Sequence, residues 1–400
     1  MLVFFDLPNA HQALLPLTFT RPLAELRVGI LTIAEKWQAH LRLSQTAYLT
    51  KTWLAHAYPK PEDKTPLLYI NGAICPNPEL LQAIQGLPLG HALIDDAQNI
   101  LALHEKATFD DPLDLCDWVL ERAQVHLFEP PYTKLERPAD IFLHNRAELI
   151  RDFQQLTHGR KSTPIEDPHT AIYAPEQVFV EEGARIYAAV LNAQTGPIYI
   201  GKNAEIQEGS VIRGAFAMGE GAVLNMGSKL RGDTTIGPYC KVGGEVSNSV
   251  LMRYSNKGHE GFLGNSVLGE WCNLGADTNT SNLKNNYSAI KVWDYVREDF
   301  APTGLTFHGL VMGDHAKCGI NTMFNTGTMV GVGANVFGGG FPPKFIPSFS
   351  WGGSHGLQAF DLDKFFEMAA RMMQRRGQPL TGNTRRILTA VYEQTTRYRG

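Results

Sequence analysis

The chain has 400 residues, 36 basic against 40 acidic, a formal net charge of −4 and five cysteines. That length favours two or more domains, and the near-even charge excludes the basic stripe of a nucleic-acid or membrane-surface protein. An odd number of cysteines with no CxxC points to free thiols in a reducing cytoplasm, and no apolar run reaches the roughly 18 residues that a membrane span needs.

The N-terminus, MLVFFDLPNAHQ, has neither a basic n-region nor a cleavage site, so it reads as a buried strand rather than a signal peptide. Residues 1–160 mix apolar runs (Leu2–Phe5, Leu67–Ile70, Ile141–Leu143) with helical patterns (Ile33–Leu43, Asn77–Ile84, Leu113–Arg122, Arg146–Leu156). Strands alternating with helices predict an α/β layered domain. The polar stretch Thr157–Pro168, ending STPIEDP, sets a linker at 161–170.

From Ile200 an aliphatic residue returns at every sixth position: Ile206, Ile212, Met218, Leu224, Leu230, Ile236, Val242. Small residues follow four positions after most of them, as at Ala204, Ser210, Ala222 and Cys240. The beat resumes at Leu268 and Leu274, and again from Met312 through Val336. A helix repeats at three and four and a half-buried strand at two, so a strict six is the mark of a hexapeptide solenoid. Three short strands then make one triangular coil, with the aliphatics inward, each contributing about 1.5–3 kcal/mol by burial. Residues 171–345 are thus expected to form a parallel β-helix, with Cys240, Cys272 and Cys318 on inward slots. A C-terminal helical extension, 346–400, follows. In it Asp361 is placed to cap a helix over Asp361–Arg376 whose apolar face is Phe365, Met368, Ala369 and Met372.

One stretch interrupts the beat: Ser255–Phe262, SNKGHEGF. It sits in an expected excursion, Ser247–Asn265, flanked by Gly258, Gly261 and Gly264. A solenoid wall is smooth, so functional groups are expected on such an excursion, and histidine, here His259, is the side-chain type suited to proton transfer in both directions.

Two segments carry a resemblance. LLPLTFTRPLAELRVGILTIAEKW (Leu14–Trp37) resembles the opening of sugar-phosphate nucleotidyltransferases, and KGHEGFLGNSVLGEWCNLGADTNTSNLKNNY (Lys257–Tyr287) resembles the active-site coil of the GlmU acetyltransferase domain. The order of domains is similar to that of the GlmU family, and the chain resembles a divergent GlmU-like family across nearly its full length. The resemblance implies a left-handed β-helix, a homotrimer, and acetyl transfer from acetyl-CoA to an amino sugar phosphate or nucleotide amino sugar, glucosamine-1-phosphate being the family's acceptor. A bifunctional chain that also makes the UDP-sugar is the alternative.

Under that resemblance His259 is the general base, with Glu260 or Glu245 to orient the imidazole or hold the ammonium. Asn273 and Asn282 are expected on sugar hydroxyls, and Tyr287, Lys257, Lys229 and Arg231 on the sugar phosphate. Ala276, Asn321, Thr322 and the run Gly338–Gly340 are expected along the pantetheine, and Lys344 at the 3′-phosphate. In the N-terminal domain the match has gaps. DLPNAHQALLPLT has no glycine, Leu23 stands where a lysine is expected, and Asn71-Gly72-Ala73 stands where an aspartate would hold Mg²⁺. Mg²⁺ is therefore expected only if that domain is active, with Arg21, Arg27 and Asn71 as its nucleotide-binding candidates. Two rivals stand beside this reading. One is a non-catalytic trimeric scaffold; the other is a zinc enzyme like the γ-carbonic anhydrases, drawing on His308, His315 and His259.

Overall fold

The structure is a computed structural model that describes residues 1–61 and 66–399; residue 400, the end of the expected extension, lies outside it. It divides into two compact units. The first comprises residues 1–26, 31–137 and 382–387, and the second 27–30, 138–381 and 388–400.

The first unit is built on a six-stranded mixed sheet. In chain order its elements are β1 (Leu2–Phe5), α1 (Pro8–Ala13), α2 (Ile33–Leu41), β2 (Thr46–Leu49), β3 (Leu67–Asn71), α3 (Pro78–Gln85), β4 (His91–Ile94), β5 (Ile100–Glu105), α4 (Pro112–Arg122) and β6 (Gln124–Leu127). The strand order is β2-β1-β3-β5-β4-β6. β1 runs parallel to β2 and β3, while β5 is antiparallel to β3 and β4. The helices start where the sequence supplies caps. Thr32 and Glu35 form a reciprocal capping box on α2, Asn77 caps α3, and Asp111 and Asp114 do the same for α4. α2 ends early because Arg42 takes a left-handed conformation, φ 54°.

The second unit opens with α5 (Pro138–Thr157). The apolar run Ile141–Leu143 is part of this helix, because its buried positions (Ile141, Phe142, Asn145, Glu148, Leu149, Asp152) recur with helical period. By compactness α5 goes with the residues that follow it. Its buried polar groups bind the short segment 27–30. The Gly29 N–H donates to Asn145 Oδ1 and the Ile30 N–H to Asp152 Oδ2, both at 2.7 Å. Gly29 has φ +80°, and a Cβ there would meet Asp152 Oδ2 at 2.5 Å, so only glycine lets the chain pass this close to α5.

The rest of the second unit is a parallel β-solenoid, consistent with the left-handed β-helix expected. Three sheets of six, nine and ten strands form its faces. One inward ladder runs Ile200, Met218, Ile236, Leu251, Leu268, Met312, Val330, Ile346, each in register with the next. All eight are fully buried. Cys240, Cys272 and Cys318 are buried and free, as the inward slots predict, and burial pushes the Cys240 thiol up to about 12. Strands continue past 345, in a closing antiparallel hairpin, Ser350–Gly353 with Gly356–Ala359. Helix follows as α6 (Leu362–Gln374), capped by Asp361, and α7 (Gly382–Gln394). Phe365 of α6 stacks edge-on against Phe349, at 4.9 Å between ring centroids, and closes that end of the core.

Candidate active-site face

SNKGHEGF is a coil of the wall and not a break in it. Val250–Leu251, Asn256–Lys257 and Phe262–Gly264 add one strand to each of the three sheets. What changes is the occupant of one inward slot. Lys257 pairs with Val242, in the ladder of Ile206 and Leu224, and is 2% exposed. Its ammonium donates to the carbonyls of Gly243 at 2.9 Å and His259 at 2.5 Å. Burial draws its pKa down to about 8, with Glu260 opposing the shift and Lys229 adding to it. Lys257 is therefore not an outward cation waiting for a sugar phosphate. It lies inside the coil and holds the backbone on which His259 stands.

His259 and Glu260 are both exposed. On the adjoining sheet Lys229, Glu245 and Phe262 lie side by side in register, with Arg231 two residues along from Lys229. Lys229 Nζ lies 3.2 Å from Glu260 Oε2, and Arg231 Nη1 lies 3.1 Å from Glu245 Oε1. Both carboxylates expected to orient the imidazole are thus engaged with cations. Exposed pairs of this kind contribute about 0–1 kcal/mol, so a charged ligand displaces them at little cost. Asn282 reaches the same sheet, donating from Nδ2 to Asn265 Oδ1 at 2.8 Å. Tyr287 is 70% exposed, on the long insertion that follows. Asn273 lies on a different sheet and accepts from Asn256 Nδ2 at 2.9 Å.

Of the residues expected along acetyl-CoA, Ala276 and Asn321 come together. The Asn321 N–H donates to the Ala276 carbonyl at 2.8 Å, which stacks those two positions on successive coils. Thr322 is buried, its hydroxyl spent on the Gly319 carbonyl at 2.9 Å, because it fills a small inward slot. Lys344 donates to the Lys291 carbonyl at 2.8 Å and sits over the Phe300 ring.

In the first unit the polar groups turn inward. α1 occupies the stretch where a glycine-rich loop is expected, with His11 buried in it. Burial lowers the His11 pKa to about 3. Asp6, at the end of β1, accepts from Thr50 Oγ1 at 2.5 Å and from the Leu23 N–H at 3.1 Å. Burial outweighs these bonds and pushes its carboxyl up to about 7. Asn71 is fully buried, donating to the Ile100 carbonyl and accepting from the Ala73 N–H, both at 3.0 Å. Arg21 is buried too, and Arg27, which donates to the Ile30 carbonyl, belongs to the second unit. Asn71 is thus committed to internal bonds. The residues present do not fit Mg²⁺: Ala73 offers no oxygen ligand, and Asp6 holds its proton toward neutrality.

Residues 2–161 match the family model described as sugar nucleotidyl transferase. The bifunctional protein GlmU of Bartonella quintana is 24% identical over 264 residues, covering 63% of this chain and 52% of that protein. The bifunctional protein GlmU of Nitratidesulfovibrio vulgaris is 28% identical over 246 residues, covering 56% and 50%. The chain is similar to GlmU proteins over more than half of its length. Its matches span about half the length of these two relatives. Among solved structures, the polySia-specific acetyltransferase NeuO shows 12% identity and a TM-score of 0.28, covering 52% of this chain and 98% of that one. A likeness that low bears on neither activity nor substrate.

The GlmU-like chain carries one feature that the sixfold beat hides. Tyr239, Tyr254, Trp271 and His315 all have φ near +60° and stack in succession, at 5.1, 4.2 and 6.2 Å between rings. Bulky residues rarely take this conformation, and the stacking helps offset its strain. The signal was an aromatic directly before each small slot, as in Tyr239-Cys240, Tyr254-Ser255 and Trp271-Cys272. This stack and α5 also take up two of the rival's three histidines. His315 packs on Trp271 and Phe365, and His308 packs edge-on against Phe142. Among the described residues no three His, Cys, Asp or Glu side chains converge to hold a metal.

Proposed function

We propose that the second unit of this GlmU-like chain transfers an acetyl group from acetyl-CoA to the amine of an amino sugar phosphate or nucleotide amino sugar. The observation that carries this reading is His259, an exposed imidazole on a corner whose backbone is tied down by the buried Lys257. A base is useful only when its position is held, and a positioned histidine contributes roughly 10²–10⁴-fold. Neutral His259 takes the proton from the acceptor's ammonium. The amine then attacks the thioester carbonyl, the C–N bond forms, the nitrogen's second proton passes to solvent, and the C–S bond breaks. The departing thiolate takes a proton, and the imidazole is the group placed to return it. Lys229 and Arg231 exchange their carboxylate partners for the acceptor's phosphate, which frees Glu260 and Glu245 for the ammonium. Asn282 and Tyr287 meet the sugar, and Ala276, Asn321 and Lys344 the cosubstrate.

A single wall gives half a pocket, so the working form is a homotrimer. Met226 and Ile320, each 70% exposed on the coils, suit such contacts. Acetyl-CoA and the free cysteines fit a cytoplasmic reaction. In the first unit, Asn71 and Asp6 are committed to internal bonds, which favours a domain that shapes the protein without transferring nucleotides. Thiol release from acetyl-CoA, measured against a panel of amino-sugar 1-phosphates and nucleotide amino sugars, tests the reading. Turnover with one class is expected; no thiol release with any of them sinks it.

A further inference from the structure

A second feature of the same unit goes beyond acetyl transfer. A cavity of about 300 Å³ opens where the C-terminal end of α6 meets one face of the coils. Lys241 stands on one side of it, and Arg375 and Arg376 on the other. Among the described residues no carboxylate lines it. Along the wall, Glu205 is paired with Arg185 at 2.5 Å and Glu270 with Arg253 at 3.6 Å. We propose that this cavity is a binding site for a small phosphate monoester, of the size of a sugar phosphate.

Four properties support that ligand class. Three cations line one cavity, Arg376 also donating to the Tyr239 carbonyl at 3.4 Å, and they repel each other unless an anion lies between them. Cations at a helix C-terminus are favourable in themselves, which accounts for the two arginines but not for Lys241, supplied by a strand opposite. The helix end does not oppose an anion strongly, because its last carbonyls are capped. Gly377, with φ +69°, brings its own N–H to Gln374 at 3.0 Å and that of Gln378 to Met373 at 3.1 Å. The floor supplies neutral donors as well: Asn256 donates to Asn273 Oδ1, which leaves the Asn273 Nδ2 to donate elsewhere. Trp271 lines the cavity but is stacked flat on Tyr254, 4.2 Å away and 2° from parallel, so it offers its ring edge. Aromatic edges carry the positive end of the ring quadrupole. The volume is at the small end of ligand pockets, which excludes a whole coenzyme.

The site uses neither His259 nor the Lys229 and Arg231 pairs, so its test does not depend on acetyl transfer. Calorimetric titration of the full chain with inorganic phosphate and with glucose-6-phosphate, against glucose and against chloride at matched ionic strength, reads it directly. Both phosphates are expected to bind and glucose not. The double variant Arg375→Ser/Arg376→Ser is expected to weaken phosphate at least tenfold. Lys241→Gln, on the opposite wall, should weaken it by a smaller factor, and it serves as an independent check should the double variant misfold. Phosphate binding no stronger than chloride, or isotherms unchanged in the folded variants, overturns the proposal.

Discussion

The two units treat their polar side chains in opposite ways. In the first, the groups that a nucleotidyltransferase would turn toward a ligand are directed into the fold. Asp6 joins Thr50 and the Leu23 N–H, and Asn71 joins Ile100 and Ala73. In the second, the coil interior is largely aliphatic with Lys257 as a buried exception, and Lys229 and Arg231 stand on an outer face in weak pairs with Glu260 and Glu245. The difference teaches that a resemblance in sequence locates a site but does not decide whether it is open. What decides is where each polar group's hydrogen bonds are spent. Bonds made to the protein's own backbone are lost to a ligand, and exposed ion pairs are easily exchanged.

The sharpest way to break this contrast is at His259. His259→Ala should lower kcat by about 10²–10⁴-fold with little change in KM for acetyl-CoA, since a lost proton acceptor affects the transition state and not ground-state binding. The melting curve should stay within about ±0.5 kcal/mol of wild type, because the side chain is exposed. Near-wild-type turnover in this variant would return His259 to a solvated corner.

Smaller effects come from a buried titratable group in each unit, Asp6 and Lys257, and they have opposite signs. Asp6 is raised from 3.8 to about 7, so between those values the folded state keeps a proton that the unfolded state releases. Its contribution is complete below 3.8 and fades as pH climbs through 7. Lys257 is lowered from 10.5 to about 8, so between 8 and 10.5 the unfolded state holds the extra proton, and stability rises with pH. Each effect is on the order of a few kcal/mol at most. Asp6→Asn should flatten the acid-side dependence and Lys257→Met the alkaline one. Denaturation series for both variants across pH 4–10 check this, and slopes equal to wild type would mean that neither group carries its burial.

Much of the second unit was legible in the sequence, because a six-residue period is a local consequence of three-faced coiling. The inward ladder from Ile200 to Val242 and the three inward cysteines follow from it directly. Lys257 was misread for a physical reason. A charge in an aliphatic slot looks like an interruption until the carbonyls of Gly243 and His259 are seen to satisfy it. Thr322 was misread likewise, since a small polar residue that suits a ligand also suits a corner. In the first unit, strands and capped helices were visible in apolar runs and cap residues, whereas the inward turning of Asp6 and Asn71 depends on partners far along the chain, such as Thr50 and Ile100. The phosphate cavity was invisible for the same reason, with Lys241 and Arg376 meeting only through the packing of α6.

The contrast between an open second unit and a closed first one is tested most directly by a paired assay on one preparation. Thiol release is followed with acetyl-CoA and amino-sugar 1-phosphate, and pyrophosphate release with UTP, Mg²⁺ and N-acetylated sugar-1-phosphate. The expected result is thiol release that is lost in His259→Ala, with pyrophosphate at background. Robust pyrophosphate release alongside absent thiol release would contradict it.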